Sequence, residues 1–147
     1  MLNSAEGQAM VVAMRPHSAQ SNRFEKYQET LRANWVSQVG DGDPFGGDEL
    51  YVHIVWFHSG EIRMDLDNIA KRILDALKGL AFGDDAAVAR CILEKVLYTQ
   101  REFQIVGNPP VVTYENLLRL LGEQHPDILY IEAGAISPEV RQIPLGP

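Results

Sequence analysis

Cysteine is almost absent: Cys91 is the single one in 147 residues. No intrachain disulfide and no multi-cysteine zinc site can be built from it. No apolar run approaches the roughly 18 residues of a membrane-spanning helix, so no membrane association is expected. The first ten residues carry no basic stretch ahead of a long apolar one, which argues against a secretory signal and for a cytoplasmic location. Basic residues are also scarce, at 13 Lys and Arg against 20 Asp and Glu, a formal net charge of −7. There is no internal repeat and no low-complexity tract. What is present, 46% apolar and 22% charged residues, is ordinary for one globular domain able to bury a real core.

The acidic excess is uneven. Residues 41–62 hold five acidic residues and no basic one, and residues 102–147 hold six against two. Residues 63–101 hold seven basic and six acidic residues, so the middle of the chain is slightly positive. A nucleic-acid surface, if there is one, belongs there.

Periodicity gives the elements. Ala9 to Met14 is a short apolar run with the length and Val content of a buried strand. A polar loop, Arg15 to Asn22, follows, with Ser21 or Asn22 available as a helix cap. Phe24, Tyr27, Leu31, Trp35 and Val39 recur at spacings of three and four, predicting a helix over 23–39. Gly40 to Gly47 is a Gly/Asp-rich loop within one domain. Glu49 to His58 is the clearest strand. A helix with Ile69, Ile73, Leu74, Leu77 and Leu80 on its apolar stripe comes next, and Gly79 and Gly83 bracket its end. The β-branched segment 86–98 predicts a strand, Thr113 to Gly122 a short helix, and Ile128 to Ile136 a last strand. This order predicts an α+β domain over 1–136, a mixed sheet packed by helices, with a poorly packed tail over 137–147.

The chain is organised around Met64 to Asp85, which reads MDLDNIAKRILDALKGLAFGDD. Five of the twenty acidic residues fall in these twenty-two positions. Asp65 and Asp67 stand one residue apart ahead of the helix, and Asp84 and Asp85 are adjacent beyond it. Carboxylates brought together repel one another unless a cation sits among them, and oxygen donors suit a hard divalent ion. The plainer alternatives are helix capping by Asp67 or Asn68 and a solvated turn at Asp84-Asp85. A helix of about fifteen residues is about 22 Å long, so the two pairs meet only if the chain returns along it. Lys71 shares a helical face with Asp67 and Asp75; it reads as a surface ion pair, with Asp75 its structural partner, or as a cation beside a metal. His53, His58, Trp35, Trp56 and Cys91 read as core or packed residues, and His17 as a loop residue able to approach DNA.

The pattern D-L-D-N-x-x-K-x-x-x-D-A-L-x-G-x-x-x-x-D-D from Asp65 to Asp85 resembles the signature of the RusA family of Holliday junction resolvases, gap lengths included. The strand, Pro/Asn loop and helix at the N-terminus are similar more loosely. Met64 stands where family members often carry a basic residue or proline, and the chain from Asn108 is longer than the family's short end. The resemblance implies a homodimer that cuts four-way DNA junctions with Mg²⁺, or Mn²⁺ in its place, in DNA recombination and repair. It implies metal binding by Asp65, Asp67 and Asp85 and a role in cleavage for Lys71. Asp84 matches the first residue of the family's Asp pair. Arg63, Arg72 and Lys78 are candidates for backbone-phosphate contacts. The acidic balance keeps two other readings open: a catalytically idle DNA-binding or scaffold relative, and a metal-dependent phosphohydrolase of small nucleotides.

Overall fold

The computed structural model describes residues 7–17, 24–47, 49–60, 63–107, 109–137 and 142–147. The candidate caps Ser21 and Asn22 lie outside the described residues, as does Asn108. The elements are β1 (Gln8–Val12), α1 (Phe24–Gln38), β2 (Leu50–His58), α2 (Leu66–Leu77), a 3-10 turn (Asp85–Ala87), β3 (Val88–Leu97), α3 (Val111–Gly122) and β4 (Asp127–Ala135). The predicted order of strands and helices therefore holds, including the strand after Asp85.

The four strands form one mixed sheet in the order β1-β4-β2-β3. β4, last in the chain, runs antiparallel to both β1 and β2 and sits between them. β3 pairs parallel with β2, so the chain between them must cross back over the sheet, and α2 is that crossover. The register sets Leu50 beside Val88 and His58 beside Leu97. The start of β3 thus lies beside the start of β2, and α2 begins after the end of β2.

Alternation along β2 divides the interior in two. Leu50, Val52, Ile54 and Trp56 face α1 and α2 and pack with Tyr27, Leu31 and Trp35 of α1 and Ile69, Ile73 and Leu77 of α2. Phe57 faces the other way and packs with Leu117 and Leu120 of α3 and Ile128 of β4. The two helices on the first face run alongside each other in the same sense. Gln28 donates to the Asp75 carbonyl at 3.4 Å, and Arg32 donates to the carbonyls of Ala76 and Lys78, both at 2.9 Å. Arg32 thereby satisfies carbonyls that the end of α2 leaves without an intrahelical partner. Trp56 is in the core as expected, and its indole N–H donates to Asp127 at 2.9 Å. Arg15 holds the other oxygen of that buried carboxylate at 3.0 Å.

Cys91 departs from its expected place. It lies exposed on β3, because β3 is an edge strand that no element covers on its outer side among the described residues. Burial of part of its surroundings still pushes the thiol above its ordinary value. Among the described residues, no helix is long and apolar enough to cross a membrane.

Candidate active site

α2 begins two residues earlier than capping by Asp67 would require, and three earlier than capping by Asn68. Asp65 occupies the N-cap position with extended backbone, φ −71° and ψ 123°, and its side chain makes no capping hydrogen bond. Asp67 sits in the first turn. Both carboxylates are exposed, and neither makes an ion pair among the described residues. Their place at a helix N-terminus is favourable for anions, because the unpaired N–H groups and the helix dipole carry partial positive charge. The pair is held by position, and its oxygens remain available to a ligand.

Lys71 is exposed one turn further along, with its ammonium 3.8 Å from Asp75. The structural partnership of Lys71 and Asp75 is thus present, and it is a loose surface contact. Arg72, half-buried, lies against the start of α1: its charge acts on Tyr27, whose phenol burial pushes well above its ordinary value. The His17 ring stacks on Tyr27 at 4.4 Å with an interplanar angle of 5°. The sequence places Tyr27 on the apolar stripe of α1 and His17 in a loop able to approach DNA, and neither reading predicts this stack. The stack holds His17 against the start of α1. Only the pairing of an apolar-stripe tyrosine with an adjacent Pro-His loop hinted at it.

The second acidic pair lies elsewhere. Asp84 caps the 3-10 turn by accepting the Ala86 N–H at 3.2 Å, and it faces Lys78 at 3.9 Å. Hydrogen bonding with the Asp85 carboxyl, the Ala86 N–H and the Lys78 charge together hold the Asp84 carboxyl below the usual carboxylate range. Asp85 is exposed beside it. Lys78 is the C-cap of α2, eleven residues beyond Asp67, which is about 16 Å of helical rise. The return of the chain that convergence required does occur, as β3, but Asp84 and Asp85 stand at the start of that strand. The two pairs therefore occupy opposite ends of α2, and no group of three or more carboxylate, histidine or cysteine donors gathers among the described residues. The candidate phosphate contacts divide likewise. Arg63 precedes the first end, Arg72 lies midway along α2, and Lys78 belongs to the second end.

His58 is buried, its Nδ1 2.5 Å from the Gly60 carbonyl, and His53 is half-buried on the α3 side of the sheet. Both are packed residues.

A comparison with known protein families matches residues 4–106 to the family described as Endodeoxyribonuclease RusA. The match spans the first acidic pair, Lys71, the second acidic pair and all of β3. The chain belongs to the RusA family of endodeoxyribonucleases, and its activity class is that of a nuclease. No curated protein matches the chain.

Proposed function

We propose that the protein is a Mg²⁺-dependent, structure-specific endodeoxyribonuclease that resolves four-way DNA junctions by paired symmetric nicks, as a cytoplasmic homodimer. The observation that carries this reading is the exposed, uncapped Asp65/Asp67 pair at the N-terminus of α2 with Lys71 one turn on. It sits within a chain of the endodeoxyribonuclease family.

The donor chemistry suits a hard divalent cation, but one chain offers its carboxylates as two separated pairs. They serve one ion only if two chains contribute. β3 is an edge strand with an open pairing edge. Antiparallel pairing of β3 with β3 of a second copy, about a two-fold axis normal to the sheet, sets the start of one β3 beside the end of the other. Asp84 and Asp85 of one copy then approach the end of the sheet where Asp65 and Asp67 of the other begin α2. Two equivalent sites result, as paired nicks across a symmetric junction require.

Asp65, Asp67 and Asp85 would hold the ion, which would supply Lewis-acid polarisation of the phosphodiester and lower the pKa of a water. Asp65 or Asp85 orients that water as general base. The Lys71 ammonium stabilises the charge that builds on the phosphate oxygens. Arg63 and Arg72 position neighbouring phosphates and carry no sequence information. With a net charge of −7, junction binding is weak and falls steeply with salt.

Incubation with synthetic four-way junctions, linear duplexes and Mg²⁺ tests the proposal. Symmetric nicks confined to junctions are expected. Junction binding without nicking identifies the catalytically idle relative, and release of product from nucleotides without DNA binding identifies a small-nucleotide phosphohydrolase.

A further inference from the structure

The sheet face opposite α1 and α2 is only partly covered by α3. Between α3 and the segment 103–107 lies an open cavity of about 500 Å³, within the range of cavities that hold bound ligands or side chains. Val55, Phe57 and Val96 form its apolar floor, and His53, Glu94 and Glu132 form its head. Among the described residues no Lys or Arg lines it. Val106, which lines it, is 87% exposed, and α3 carries further exposed apolar side chains at Val111 and Leu118.

The head of the groove is built. The Tyr51 hydroxyl donates to one oxygen of Glu132, and the Tyr130 hydroxyl donates to the other at 2.5 Å. Tyr51 reaches Glu132 by lying across Gly7 and Gly134, where an added Cβ would come within 2.2 and 2.8 Å of it. Both carboxylate oxygens are therefore fixed in direction, with lone pairs to spare. Glu94 stands across the groove, 3.9 Å from the His53 ring. A nucleic-acid backbone is disfavoured, because among the described residues its phosphates would meet two carboxylates and no Lys or Arg.

We propose that this groove binds a short segment of a partner polypeptide in which a Lys or Arg stands beside large apolar residues. The apolar side chains fill the floor between α3 and residues 103–107, and the cation meets Glu132 and Glu94. Charge complementarity selects this occupant: among the described residues the groove is lined by two carboxylates, Glu94 and Glu132, and by no Lys or Arg. The site is separate from the two acidic pairs and does not rest on the proposed cleavage reaction.

The test uses the full chain and three fluorescein-labelled 12-residue probes, alternating Leu-Lys, Gly-Lys and Leu-Glu, read by fluorescence anisotropy, with n-octylammonium as a competitor. The Leu-Lys probe is expected to bind saturably, to shift the Val55 and Val96 methyl resonances, and to weaken at least about tenfold in Glu132→Gln and in Val106→Asp. Val106 is exposed, so the second variant reports on binding even if the first perturbs folding. Three outcomes overturn the proposal. The Gly-Lys probe binding as well as Leu-Lys means surface charge alone. Unchanged binding in Val106→Asp and Glu94→Gln means another site. Binding of n-octylammonium without the peptides means a small-amine pocket.

Discussion

The two ends of α2 carry the same chemistry in different settings. At the N-terminal end, Asp65 and Asp67 are exposed and free of ion pairs among the described residues, and they stand at the favourable pole of a helix dipole. At the C-terminal end, Asp84 is already engaged by the Ala86 N–H and by Lys78. The first pair is presented to a ligand, while half of the second pair is occupied in holding the turn that starts β3. The contrast assigns roles within the motif. On the proposed reading Asp65, Asp67 and Asp85 would be the donors, while Asp84 caps the turn that begins at Asp85.

Four substitutions sharpen or break that contrast. The largest effect is expected for Asp67→Asn, which should lower junction nicking at least about a hundredfold with junction binding retained. Nicking that survives would move the cutting centre away from the N-terminal end. Lys71→Ala should lower turnover about ten- to a hundredfold, because it removes a cation aimed at developing charge. Its exposed contact with Asp75 predicts no measurable loss in urea midpoint. Asp84→Asn should retain most of the nicking activity, since a cap needs only an acceptor oxygen and Asn supplies one. A loss as large as that of Asp67→Asn would show that both members of the second pair are donors.

The smallest effect concerns pH. The depressed Asp84 value means that its contribution to folding is present above the unfolded Asp value, near 3.9, and is lost as pH falls through the lower folded value. Removing one of its causes with Lys78→Ala should move the Asp84 midpoint upward, followed by carboxyl ¹³C shifts. The midpoint should stop short of the ordinary value, because the hydrogen bonds with Asp85 and the Ala86 N–H remain. An unchanged midpoint would remove Lys78 from the account.

Much of this was legible in the sequence because the signals are local. The helical spacing of Tyr27, Leu31 and Trp35 and the β-branched run through Leu50–His58 specify their elements without reference to the rest of the chain. The Asp/Lys pattern from Asp65 to Asp85 was readable for the same reason, and it also carried the family. What was not readable depends on sheet order. β4 is the last strand in sequence, yet it lies between β1 and β2, so the matched region 4–106 is completed by a strand beyond it. Cys91 read as core because an apolar strand was assumed to have neighbours on both sides, and edge position is a tertiary fact. Whether the acidic pairs meet was equally hidden. A strand returning along a helix was foreseeable, but the parallel register that sets Val88 beside Leu50 fixes Asp84 and Asp85 at the wrong end for one chain. The Tyr51–Glu132–Tyr130 contact joins residues 81 positions apart in its longer arm, beyond any periodicity argument.

If two chains assemble each cutting site, as proposed, mixed dimers reveal it. Asp67→Asn and Asp85→Asn are purified separately, each inactive on four-way junctions, then mixed and allowed to exchange subunits. A shared site predicts recovery. In the mixed dimer one site collects both substitutions and the other collects none, so the equilibrium mixture nicks at about a quarter of the wild-type rate. A mixture as inactive as its components, with subunit exchange verified, would mean that each chain carries its own complete site.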